Sequence, residues 1–174
     1  ESLDGPIAVA IQGEFANGSG SVSALAVCSS HQIHVVHSAS AQQSTALLKW
    51  LSTCINPITL HDGKTTLWAL ATAQIDISQC KIQMDTALAG YLIDPGQRSY
   101  ELTDLVRREL GHSLTAPQDQ LSMFGENDSV TNLVQSATLI WELGRVLSLK
   151  LAEFKLEPLL VDIEIPTEVA LAQM

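Results

Sequence analysis

Basic residues are scarce in this chain. Nine Lys and Arg stand against nineteen Asp and Glu, a formal net charge of −10. Tight autonomous binding to a phosphate backbone needs clustered Lys and Arg that release counterions, so the balance argues against a free-standing nucleic-acid binder. Lys49, Arg98, Arg107, Arg108 and Arg145 are scattered along the chain and form no stripe. Cysteine is scarce too. Cys28, Cys54 and Cys80 are odd in number and far apart, with no CxxC pair. That spacing argues against a zinc site or a disulfide scaffold and predicts three small buried hydrophobes in a reducing, cytoplasmic compartment. No segment approaches the roughly eighteen unbroken apolar residues of a membrane span, and the opening ESLDGPIAVA carries no basic-then-apolar leader. No repeat or low-complexity tract is visible. What is present is 174 residues, 46% hydrophobic and 16% charged, enough for one globular domain with its own core. The abrupt ends suggest a piece of something longer.

The apolar patterning predicts the order of elements. PIAVAIQG (6–13), SVSALAVCS (21–29) and QIHVVH (32–37) are β-prone runs joined by tight, Gly- and Ser-bearing links, the signature of three consecutive antiparallel strands. Residues 41–54 place Ala46, Leu47, Trp50 and Leu51 on one face of a helix. ITLH (58–61) follows as a short buried strand, 64–73 as a helix, and CKIQ (80–83) as another strand. Asp85 is placed to cap a helix over 86–93, and DPGQ is a turn. Leu102, Leu105, Val106 and Leu110 share a helical face that ends at Gly111. After a polar loop over 112–127, a long helix runs from about Ser129 to Phe154 with a stripe of Val130, Leu133, Val134, Ala137, Trp141, Leu151 and Phe154. A last helix bends near Pro166. The expected fold is α/β: a mixed sheet of three antiparallel strands extended by β-α-β crossovers and flanked by helices. Trp50, Trp68, Leu88, Leu92, Leu105 and Trp141 are the expected core.

Several local motifs are excluded on spacing. HDGKTT (61–66) ends like a phosphate-binding loop at Gly63, Lys64 and Thr65, but the glycine required five residues earlier is Ile58, in a stiff Pro-Ile-Thr-Leu run. His31, His34 and His37 recur every third residue on a strand; only His31 and His37 could share a face, roughly 20 Å apart, so a common metal is excluded. GSGSVS lacks the strand-to-helix elbow of a serine hydrolase.

One long stretch is specific. DTALAGYLIDP followed by YELTDLVRRELG, within residues 58–111, resembles the 3′–5′ exonuclease domain of family A bacterial DNA polymerases. The end, LLVDIEIPTEVALAQM, is similar to the segment that leads into that family's polymerase domain. The resemblance implies a ribonuclease-H-like exonuclease fold over 1–155 and a connecting helix over 156–174. It also implies two Mg²⁺ ions held by carboxylates in three motifs. The family's Asp and Glu of the first strand fall at Ala10 and Gln12. Its second motif places the Asn at Asp62, a basic residue at Lys64 and the ligand Asp at Thr66. The third places the Tyr at Asn132 and the Asp at Ser136. Residues 6–13 and 129–141 contain no acid, so slipping the alignment restores nothing.

Neutral Ala, Gln, Thr and Ser cannot balance two divalent cations, which demand hard anionic oxygens. The expectation is therefore a domain without catalytic residues, metal or cofactor. Asp62, Lys64 and Asn132 would be motif remnants, and HDGKTT a former active site. The partner implied is the polymerase domain of the same parent chain. That parent would use Mg²⁺ and would contact DNA, this domain weakly or not at all, at the bacterial nucleoid. Two alternatives stand beside it: a working nuclease using displaced acids such as Glu14, Asp62, Asp76 or Asp85, and a stand-alone protein-interaction module.

Overall fold

A computed structural model describes residues 5–16, 19–37, 45, 49–75, 77, 79–111 and 126–174. The three expected hairpin strands form: β1 (Ile7–Ala16), β2 (Ser19–Cys28) and β3 (Ile33–His37), each antiparallel to the next. Two short strands, β4 (Ile58–Leu60) and β5 (Ile82–Asp85), extend the sheet in parallel, so the order is β3-β2-β1-β4-β5. Parallel neighbours need a crossover, and α1 (Gly63–Thr72) supplies it between β4 and β5. The expected strand over 80–83 lies two residues later, because Asp85 both ends β5 and starts α2 (Thr86–Ile93). Next come α3 (Leu102–Glu109) and α4 (Glu126–Phe154). Of the helix expected over 41–54, residues 45 and 49–54 are described; 45 and 49–51 are helical, and the helix ends at Leu51, with Ser52 and Thr53 in a turn, three residues short of the expectation. The loop expected over 112–127 falls almost wholly outside the described residues.

Strand alternation sends β1 side chains to two different layers. Ile7 and Val9 join Leu25, Val27, Ile58, Leu60 and Leu70 of α1 on one face. Ala8 and Ala10 join Ala24, Ala26 and Cys28 on the other, under Leu133, Ala137 and Ile140 of α4. Four alanines under a long helix let it lie close to the sheet. Further along, Gly144 of α4 passes so near Thr59 that a Cβ there would stand 3.0 Å from Thr59 Cγ2. Leu143, Leu147 and Leu151 then fill a third cluster with Met84, Leu105, Val106, Leu160 and Ile165. At its edge Glu109 of α3, whose side chain is 5% exposed, accepts from Arg108 and from Lys150 of α4, tying the two helices together.

The core differs from the sequence expectation in its large residues. Leu105 is fully buried, but Trp50, Trp68, Trp141, Leu88 and Leu92 are only half-buried, and Phe154 is exposed. The α4 helix explains Phe154. Lys155 takes φ 59, its N–H bonds Ala152 O, and Leu156 N–H returns to Leu151 O, a Schellman end that turns the chain before Phe154 can be covered. All three cysteines are buried and free.

The chain after α4 packs back on the body. A short α5 (Glu157–Leu159) runs into a π-helical turn (Leu160–Glu164) and then α6 (Ile165–Ala172). The expected bend at Pro166 is this π turn. A proline has no N–H to offer four residues back and its ring crowds that carbonyl, so widening the preceding turn relieves both problems. Leu160, Ile165, Glu168 and Ala172 face inward and are buried.

Candidate functional site

The alternation of β1 decides where the first family motif points. Ala10 pairs with Ala26 and Gln12 with Ala24, so both project toward α4, the helix that carries Ser136. Those three expected positions therefore belong to the layer between the sheet and α4. Ala10 is 5% exposed, its methyl group enclosed by Leu133, Ala137 and Ile140. Gln12 is half-buried beside a β-bulge: β2 carries one extra residue opposite the Gln12–Gly13 step, and Ser23 donates to Gln12 O at 3.2 Å. Ser136 is half-buried, and Asn132, one turn earlier, is exposed. Thr66 belongs to α1 in the opposite layer. It is buried, and its hydroxyl donates to His61 O at 3.1 Å. Among the described residues, no group of three or more His, Cys, Asp or Glu is placed to hold a metal ion.

Two of the displaced acids are described with their side chains, Asp62 and Asp85. Asp62 is exposed in a left-handed conformation at φ 49. Glu14 lies on β1 with its side chain outside the description, and Asp76 lies outside the described residues altogether. Asp85 is fully buried and accepts from three backbone amides. Its Oδ1 accepts from Ala87 N–H at 2.6 Å and Leu88 N–H at 3.0 Å, capping α2 as the sequence suggested. Its Oδ2 accepts from Gly63 N–H, the first amide of α1.

HDGKTT is a well-connected polar stretch, and it is built around helix ends. Asp62 occupies the N-cap position of α1 but makes no side-chain cap. Two remote carboxylates do that work: Asp85 takes the Gly63 N–H, and Glu168 of α6 takes the Lys64 N–H at 3.1 Å. A side chain at Gly63 would displace the Glu168 carboxyl from this position. A Cβ there would stand 2.5 Å from Glu168 Oε2 and 3.0 Å from Asp85 Oδ2. His61 Nδ1 pairs with the buried Thr86 hydroxyl at 2.8 Å. Burial pushes its imidazole below the ordinary value, against the opposing pull of Asp85, Asp62 and Glu101. Lys64 keeps its side chain exposed.

Sequence reasoning missed Glu168. It is 8% exposed, and its Oε2 is buried with no hydrogen-bond donor among the described residues. Burial and the neighbouring Asp85 push its carboxyl up to about 8. The available signal was an acid falling on the apolar face that Ile165 and Ala172 define. The histidines behave as expected: His31, His34 and His37 are all exposed, on or beside an edge strand.

The family model of the DNA polymerase I ribonuclease H-like domain matches residues 18–121. DNA polymerase I of Mycobacterium tuberculosis is 35% identical over 136 residues, and that of Mycobacterium leprae is 35% identical over 137. Each match takes in 74% of this chain but only 15% of the relative's length. Among solved structures, the POL domain of Pol1 from M. smegmatis, in complex with DNA primer-template and dNTP, superposes with a TM-score of 0.79 at 26% identity, over 97% of this chain and 28% of that one. Escherichia coli RNase D, an exoribonuclease, superposes at 0.74 with 13% identity over 97% of this chain and 45% of its own, a likeness of fold alone.

Proposed function

The chain belongs to the ribonuclease H-like domain family of DNA polymerase I, and we propose on that premise that it is a catalytically silent exonuclease-like domain. In this reading it acts as a structural platform beside the polymerase domain of a longer parent chain. That parent carries out DNA-directed DNA synthesis in replication and repair, in the bacterial cytoplasm at the nucleoid. Mg²⁺ belongs to the parent's polymerase site and none to this domain; contact with DNA by the domain itself is weak or absent. No described helix is long and apolar enough to cross a membrane.

The observation that carries the reading is the wall around Ala10. Where the family holds a metal-ligating carboxylate, a methyl group lies under Leu133, Ala137 and Ile140. Gln12, Thr66 and Ser136 add only neutral oxygens, whereas two divalent ions about 4 Å apart need several anionic ones. The residues present do not fit a two-metal centre. A nuclease rebuilt from displaced acids draws no support either, since Asp85 is committed to three backbone amides and Asp62 points to solvent. Calorimetric titration of the purified chain with Mn²⁺ tests this: the expected trace shows no stoichiometric binding heat. Binding of one or two ions that is lost on changing Gln12 or Ser136 to Ala would reject the proposal.

A further inference from the structure

Glu168 and Asp85 are two buried carboxyl groups on elements far apart in sequence, turned toward one point beside Gly63. The space between them and the Gly63 backbone is too small for a methyl group. Among the described residues, Asp85 has three N–H donors, but Glu168 has a single one from Lys64, on Oε1, and its Oε2 is buried with none. Two ionised carboxylates cannot share such a site; one proton between them removes the repulsion and satisfies the orphaned oxygen. We propose that Asp85 and Glu168 hold one proton in common, and that this proton latches α6 onto the start of α1.

The other charged groups set against Glu168 make the same demand. Asp62, in the turn before α1, adds negative charge, and Lys64 offers its amide while its side chain stands in solvent. His61 lies in the field of Asp85 and is bonded to Thr86. No cation from these elements replaces the proton. When it leaves, two buried carboxylates repel each other across the contact between α6 and the start of α1. The apolar groove between α1 and α6, about 1120 Å³ and lined by Leu67, Trp68, Ile75, Ile82, Ile165 and Val169, is then free to widen.

The carboxyl of Glu168 titrates near 4.5 when exposed and about 8 when docked. A raised folded value means the docked state binds the extra proton, so docking is strongest below about pH 4.5 and is lost as pH rises toward 8. Hydrogen exchange of the α6 amides, corrected for intrinsic rates and read against α4, measures this between pH 6 and 9. In the wild-type chain the opening constant of α6 should rise about tenfold per pH unit up to pH 8 and then level. Glu168→Gln, which keeps an acceptor for Lys64 and donates to Asp85 without titrating, should be flat. An infrared band of a protonated carboxyl at pH 7, absent from Glu168→Gln, is the second readout and needs only a folded wild type. A flat wild-type profile, an equal slope in the Gln variant, absence of that band, or protection that Mg²⁺ rather than acid restores would each overturn the latch.

Discussion

Replacing Asp85 by Ala should cost the fold about 4 kcal/mol, as a drop in the urea midpoint at unchanged slope. The carboxylate sits where two helices start, and it answers the first amide of α1 and two first-turn amides of α2. A lost N-cap typically costs about 1 kcal/mol, and each buried donor left without an acceptor adds roughly 1–3 kcal/mol. Water cannot step in easily, because Asp85 and the adjoining Thr86 are fully buried. Asp85→Asn keeps the Oδ1 acceptor for α2 and should lose only part of this, about 2 kcal/mol. A cost below about 1 kcal/mol for Asp85→Ala would mean that the amides find other partners and that the junction is not the keystone described here.

The second large effect is expected at Ala10. Restoring the family's carboxylate with Ala10→Asp should destabilise the chain by roughly 3–5 kcal/mol at neutral pH, since it places an unpaired charge in an enclosed apolar site. The neighbours are methyl and methylene groups of Ala26, Leu133, Ala137 and Ile140, none of which can donate to it. Adding acids at Gln12, Thr66 and Ser136 should not lessen the damage, and Mg²⁺ should not restore stability to the fourfold variant. Thermal melts with and without Mg²⁺ decide the matter. Metal-dependent recovery would show that α4 can lift from the sheet and that the cleft is vacant instead of filled.

These two residues mark the limits of what the sequence discloses. The strand order was legible because hairpin links and alternating apolar residues are local signals, and the β-α-β crossovers follow from short apolar strands between helical stretches. Asp85 was legible as a helix cap for the same reason: its partners are two and three residues away. Its bond to Gly63 spans 22 residues, and that from Lys64 to Glu168 spans 104. No window of sequence contains both ends. Trp50 and Trp141 pack against the core clusters from their edges, whereas the close helix-to-sheet layer is built from Ala8, Ala10, Ala24 and Ala26, whose small side chains give almost no periodic signal. HDGKTT was expected to be a former active site. Its conformation is now accounted for by helix-end hydrogen bonds and the close fit at Gly63, whatever chemistry the position once served.

The most direct test of the central claim is release of nucleotides from the 3′ end of an end-labelled single-stranded DNA by the purified chain in Mg²⁺ or Mn²⁺. Neutral residues at Ala10, Gln12, Thr66 and Ser136 predict no release above a metal-chelated control. Metal-dependent shortening from the 3′ end that co-purifies with the folded chain, and disappears when Gln12 or Ser136 is changed, would contradict it.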